Sequence, residues 1–448
     1  MASEIRVNKI ENRSGLGTVT FADTGVDLAG IVTATTFSGS GASLTSLPAA
    51  NITGTLPAIS AANLTNVPAA NITGTLPAID GSNLTGIGGT DFIHAEQISV
   101  SGVTTSQAFI PSQGQLSHRN LIINGDMSVA QRGTSSTSTG YTTVDRITTY
   151  IDNIGVTPTY SQVDVTSGGA YNAGFRKAFQ VTKGAGTANA ASQIQVTYKV
   201  EARDIAKSGW NYTDPNSFIT LSFWVKSSVS FNMKGYFYHH DSVNSGITQS
   251  YPLETGTLTA DTWTKIVRKI PGNSNVAFDM DNDVGLTISF GVYGTNYSSS
   301  NPPVNQWITY NASTLTNPSE TTWYTTNDAT LEFTGLQLEV GEAATSFEHH
   351  RHADELRRCQ RYYEIVTGAI RAFDYGNYVG VSAPFKVTKR TIPTNTFVDN
   401  GLMSGMSFQT FITSSVTTEA QLEGCFPQFN AGSGGYSYGF KITSECEL

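Results

Sequence analysis

The sequence predicts a mainly β protein: an elongated homotrimer with an N-terminal stalk of intertwined repeats, an antiparallel jelly-roll-like sandwich, a short coiled-coil helix and a C-terminal β head. Three observations predict it. Charged residues make up only 14% of the 448, while Gly (43), Tyr (19) and Phe (22) are plentiful, a mixture of turn formers and aromatics that suits pleated, half-buried surfaces. Near the N-terminus a 20-residue unit repeats, with prolines that forbid a continuous helix. From residue 120 onward, short runs alternate apolar and polar residues, the period of half-buried strands.

A chain of this length divides into several modules, each with its own core. Its net charge of -9 argues against a phosphate-binding surface, so nucleic acid is not an expected partner. Three scattered cysteines, Cys359, Cys425 and Cys446, cannot form a disulfide framework, and a Cys425–Cys446 bridge is the one pairing left open. The opening MASEIRVNKIENRSG is charged and has no apolar segment, and no run of about 18 apolar residues occurs, so neither a signal peptide nor membrane insertion is expected.

Taken in order, residues 1–45 form a small module in which Ile5, Val7 and Ile10 begin a strand before Gly-rich turns. In the 46–90 segment, LPAANITGTLPA at 47–58 returns as VPAANITGTLPA at 67–78, inside a stretch from Leu28 to Ile79 without a single charge. Its apolar positions fit neither a helical nor a strand period. A unit this small cannot bury them alone, which predicts that three chains wind together into a stalk. Residues 91–118 read as a connector.

The 119–348 region holds the strand-like runs 218–228, 231–240, 262–270, 284–294 and 329–340, with no helix predicted between them, the pattern of a jelly-roll-like sandwich. Residues 349–366 read as a helix in which Leu356, Cys359, Tyr363 and Val366, spaced 3, 4 and 3, form the core stripe of a three-stranded coiled coil. From 367 to 448 the chain is again aromatic and strand-like.

Three stretches resemble tail fibre and related virion proteins of tailed bacteriophages, of the marine and cyanobacterial type. They are the A-A-N-[IL]-T-G repeats, NLIINGDMSVAQRG at 120–133 with VDRI at 144–147, and GLQLEVGEAATSFEHHRHADELRRCQRYYE at 335–364. In that family the last pattern closes a jelly-roll module and precedes a β head. The resemblance implies a homotrimer docked through its N-terminus on tail, baseplate or portal-adaptor proteins, assembled in the host cytoplasm into the virion, with its far end facing a host-surface polysaccharide or other receptor. NLIINGDM also looks like the first strand of carbohydrate-binding jelly rolls. The function expected is adhesion without catalysis. A capsule or lipopolysaccharide depolymerase and a purely architectural head or baseplate spike are the rivals.

Several residue groups are candidates for chemistry. Phe426, Phe429, Tyr436, Tyr438 and Phe440, near the end the resemblance makes distal, suit stacking on sugar rings; the alternative is that these rings fill the core of the head. Asp279, Asp281 and Asp283 have the alternate-carboxylate spacing of a structural calcium loop, but Val284 and Phe290 stand where an EF-hand needs Gly and Glu. His350 and His352 form an H-x-H pair of the kind that binds metal in phage fibres, beside His349; a polar helix start is the simpler reading. Gly435–Gly439 matches G-x-S-x-G, but no His follows it, so Ser437 is not read as a nucleophile. No cofactor is expected.

Overall fold

The computed structural model describes residues 9–11, 18–23, 25–29, 31–33, 35, 36 and 38, then 117–448 apart from 153, 192, 241–248, 296–300, 313, 314, 320, 372–377, 400–402 and 415. The 46–90 repeats, and the 91–118 connector except its last two residues, lie outside the described residues. The chain divides into two units, Met1–Val103 and Thr104–Leu448.

The first unit contains a three-stranded antiparallel sheet, β1 (Lys9–Glu11), β2 (Thr18–Ala22) and β3 (Gly25–Ala29). Ile10 lies on β1 as expected, whereas Ile5 and Val7 fall outside the described residues. β2 pairs with β3 from Ala22 and Gly25 onward, and Gly25 has φ +148°. Val26 and Leu28, two apart and therefore on one face of β3, are 54% and 42% exposed, and Ile31 just beyond is 97% exposed.

The second unit is built on two antiparallel six-stranded sheets. Its strands are β4 (Ser135–Ser136), β5 (Ile147–Asp152), β6 (Thr159–Asp164), β7 (Lys177–Thr182), β8 (Gln193–Glu201), β9 (Phe218–Ser227), β10 (Asn232–His239), β11 (Gln249–Thr257), β12 (Thr264–Pro271), β13 (Val284–Tyr293), β14 (Ile308–Thr309) and β15 (Thr330–Val340). One sheet runs in the order β14-β11-β10-β13-β8-β5, the other β12-β9-β15-β7-β6-β4. Each of the five runs read as strands from sequence is a strand. Three five-residue helices, α1 (Gly168–Asn172), α2 (Ala202–Ala206) and α3 (Thr321–Thr325), sit in the connections, too short for the sequence period to register.

Alternation builds the core directly. On β9, Ile219, Leu221, Phe223 and Val225 are at most 1% exposed and point inward at every second position. They meet Ile288, Phe290 and Val292 of β13, with the Phe223 and Phe290 rings 4.6 Å apart. Fully burying one such side chain stabilises the fold by about 1.5–3 kcal/mol.

After the sandwich come α4 (His352–Gln360), β16 (Tyr363–Arg371), β17 (Tyr378–Gly380), β18 (Ala383–Pro384), β19 (Thr394–Val398), β20 (Met403–Phe411), α5 (Thr418–Glu423), β21 (Gly424–Cys425) and the 19-residue β22 (Pro427–Glu445). β22 pairs with β16, β17, β19 and β20, while β18 pairs with β21.

This corrects the helix expected over 349–366. α4 has nine residues, and Tyr363 and Val366 stand on β16, paired with Glu445 and Ile442 of β22, so they share no helical stripe with Leu356 and Cys359. The helix stops because Arg361 and Tyr362 are drawn to the Glu201 carboxylate: two Arg361 nitrogens lie 3.1 and 3.0 Å from it and the Tyr362 hydroxyl donates at 2.5 Å. Cys359 is already fully buried within the single chain, so it is not left for a trimer seam.

Candidate functional site

Two of the three stretches that carried the family resemblance, 120–147 and 335–364, converge on one another, the repeats lying outside the described residues. β15 is bulged against β9 between Thr334 and Gln337, and Gly335 in the bulge has φ +66° with the Phe175 ring where a Cβ would stand. Past this point β7 no longer pairs with β15, and the NLIING segment takes its place: Leu121 N donates to Leu338 O at 2.9 Å and Leu336 N to Gly125 O at 2.9 Å. Asn120 completes the seam, donating to Leu336 O and accepting from Ile122 and Leu338 N–H groups. Gly125 is required because a Cβ there would lie 2.1 Å from Leu336 O.

The remaining signature residues lock the same corner. Gln337 donates to Glu339 at 2.8 Å, Glu339 accepts from Thr345, and Glu348 N donates to Gln337 Oε1 at 2.8 Å. The Glu348 carboxylate takes the N–H groups of His118, Arg119 and Asn120 at 2.6, 2.7 and 3.0 Å. Burial pushes this carboxyl up, but the three N–H groups outweigh it and hold it below the usual glutamate range. From VDRI, Arg146 is 1% exposed, pairs with Glu447 and lies 3.5 Å from the Tyr362 ring centroid. Arg132 pairs with Glu447 at 3.1 Å and lies 3.7 Å from the Tyr363 ring centroid. The signature is thus a buried polar joint between the sandwich and the C-terminal sheet.

The candidate site residues fare differently. Phe429 and Phe440 are 0% and 2% exposed and pack with Ile442 and Val366 in the core of the C-terminal sheet, so they are not receptor contacts; the alternative, core reading applies to them. Phe426 is half-buried, and the Tyr436 and Tyr438 side chains lie outside the described residues. Ser437 lies within the long strand β22, without the strand-to-helix elbow a nucleophile needs.

Asp281 turns its carboxylate onto Asp283 N at 3.0 Å, Asp283 faces Arg390 at 3.8 Å, and Asp279 is half-buried beside them. His350 Nε2 lies 2.9 Å from Arg358, His352 is exposed at the start of α4, and the ring of His349 packs on Phe175 and Phe347. Among the described residues of the single chain no three His, Cys, Asp or Glu side chains are placed to hold a metal ion. Cys359, Cys425 and Cys446 are all free thiols, which removes the Cys425–Cys446 bridge.

An aromatic and polar surface lies where sequence reasoning did not look, on the outer face of the β14-β11-β10-β13-β8-β5 sheet. β10 alternates: Met233 and Phe237 enter the sandwich core, while Tyr236 and Tyr238 face outward with Tyr293, Tyr310 and Leu315 in a separate cluster. The rings of Tyr236 and Tyr238 stack with centroids 5.4 Å apart, and Tyr238 lies 6.0 Å from Tyr310 and 5.0 Å from His240.

The strand register sets polar groups beside these rings. Lys234, Gly291, Gln195 and Tyr150 are successive cross-strand partners, as are Tyr236, Ser289, Thr197 and Thr148. Gln195 Oε1 accepts from the Tyr236 hydroxyl at 3.3 Å, and Glu254 holds Lys234 at 3.2 Å and Asn317 at 2.7 Å. Burial, with Lys199 and His239 nearby, lowers the His240 pKa to about 4, so its imidazole is neutral at pH 7 and lies 3.0 Å from Thr287 Oγ1. Arg361, Tyr362 and Leu448 occupy the far end of the face, through Glu201 and Lys199. Tyr150 is 52% exposed, and Gln195, Tyr238, His240 and Tyr310 are half-buried, so these five keep part of their surface accessible. The signal for Tyr238 and His240 was present in GYFYHH, where the outward half of the alternation is tyrosine and histidine.

Comparison with known proteins returns no matching family model and no match among curated proteins. Among solved structures, about half of the chain aligns with β proteins at low similarity. The enzymatically active domain of tailspike protein 4 of bacteriophage CBA120 is 8% identical over 50% of this chain and 21% of that chain, with a TM-score of 0.27. A family 11 carbohydrate-binding module of Clostridium thermocellum, in complex with a β-1,3-1,4-mixed-linked tetrasaccharide, is 14% identical over 48% of this chain and 98% of its own, with a TM-score of 0.24. A sugar-binding protein of Bacteroides thetaiotaomicron is 11% identical over 50% of this chain and all of its own, with a TM-score of 0.25. TM-scores this low establish neither kinship nor shared function.

Proposed function

We propose that the chain is a glycan-binding adhesion protein of a phage virion, a tail-fibre subunit that acts as a homotrimer and without catalysis. The observation that carries the binding half is the partly accessible sheet face at Tyr150, Gln195, Tyr238, His240 and Tyr310. Flat phenol rings suit the C–H faces of sugar rings, and a neutral imidazole and a carboxamide supply donors and acceptors for hydroxyls. The virion half rests on the sequence resemblance, which also puts the N-terminus on tail, baseplate or portal-adaptor proteins. Trimer formation is supported by Val26 and Leu28 on one face of β3 and Ile31 just beyond it, which are exposed in the single chain and which three copies would cover. Three weak sites on one particle then hold a surface by avidity.

An array of bacterial surface polysaccharides tests this. Wild-type protein is expected to bind a subset of glycans and leave their chain length unchanged, and Tyr238→Ala to lose at least about tenfold in affinity, the effect of about 1.4 kcal/mol. Shortened polymer would turn the reading to a depolymerase, and no binding to any glycan would leave an architectural spike.

A further inference from the structure

A second site lies away from the tyrosine face. Between the 118–123 segment, α2 and α4 the structure holds a cavity of about 290 Å³, at the low end of the roughly 300–1,000 Å³ of small-ligand sites. Leu121 and Ile123 give it an apolar wall, and Arg119, Lys207 and Arg358 bring three cations against the single carboxylate of Asp204.

The neighbouring acids have other partners. Glu348, the acid beside the cavity wall, is spent on three backbone N–H groups. Glu355, which also feels Arg358, accepts from the Asn124 N–H. Arg119 uses Nη2 on Ser346 O at 3.2 Å, while its buried Nε has no hydrogen-bond partner. Lys207 is exposed and makes no ion pair among the described residues.

We infer that this cavity binds an acidic sugar unit, a pyranose bearing a carboxylate or sulfate, with the ring against Leu121 and Ile123, the anion between Arg119 and Lys207, and a hydroxyl donating to Asp204. The apolar wall together with a cationic side separates this chemistry from that of a bare anion site. The inference rests on the glycan-binding reading for its ligand class, but on different residues.

Titration of the full chain with glucuronic acid, glucose and sodium sulfate, followed by ligand-observed nuclear magnetic resonance, tests it. Glucuronate is expected to bind saturably in the millimolar range, glucose not to bind the cavity, and sulfate to compete only weakly. Lys207→Gln, at an exposed position, and Arg119→Gln should each weaken glucuronate at least tenfold, whereas Tyr238→Ala leaves it unchanged. Absence of saturable glucuronate binding, unchanged affinity in both cavity variants, or sulfate binding as tightly as glucuronate overturns the inference. If glucuronate is lost only in Tyr238→Ala, acidic sugars belong to the sheet face: this inference fails and the proposed function stands. Failure of the glycan array with every variant removes the proposed function itself.

Discussion

Glu447 is held by two arginines that each lie over a tyrosine ring, Arg146 on Tyr362 and Arg132 on Tyr363. Removing one partner of a buried pair strands the other charge in a place water does not reach. Glu447→Ala is therefore expected to cost about 3–5 kcal/mol, read as a lowered midpoint in urea denaturation. A shift under about 1 kcal/mol would mean the joint is not buried in solution. Gly335 is as constrained for a different reason: at φ +66°, with the Phe175 ring 2.5 Å from an added Cβ, Gly335→Ala should lose at least about 1–2 kcal/mol, and Phe175→Ala in the same chain should return part of the loss caused by the clash. His240 sets a pH window. The unfolded chain takes a proton on this ring near 6.5 and the folded one not until about 4, so the contribution is full above pH 6.5, falls as pH drops toward 4 and then levels. His240→Gln should flatten that stretch of the stability–pH profile by up to about 3 kcal/mol, and an unchanged slope would show the ring to be freely solvated.

At the scale of elements, what the sequence exposed was governed by period. The strands of the sandwich alternate without interruption, as in Ile219, Leu221, Phe223 and Val225, so a period of two locates them. α4 was overrun because Leu356, Cys359, Tyr363 and Val366 keep a 3-4-3 spacing across a boundary where the chain turns from helix to strand. Only the distant Glu201 and the pairing of Tyr363 with Glu445 end the helix, and contacts over 80 residues or more leave no local mark. The candidate site was hidden for a related reason. Aromatic content and the expected distal end favoured the C-terminal rings, whereas the fold buries Phe429 and Phe440 and leaves Tyr238 partly accessible, and which face of a strand is covered depends on the sheet laid against it. The signature motifs were legible as patterns, but their work in joining NLIING to the β15 bulge is visible only with both ends of the sandwich in place.

For the whole molecule the account predicts an assembly. A single chain of 47.8 kDa exposes Val26, Leu28 and Ile31 together, and light scattering should return three times the chain mass. A monomer or a twofold dimer would remove the trimer and the avidity argument with it. Where the sugar sits is the central claim, and oxidative footprinting of side chains with and without a glycan selected from the array reads it directly. The account predicts that Tyr150, Tyr238 and Tyr310 become protected while Phe426 and the 63%-exposed Tyr378 do not. Protection of Phe426 and Tyr378 with the three tyrosines unchanged would place binding on the C-terminal sheet and contradict it.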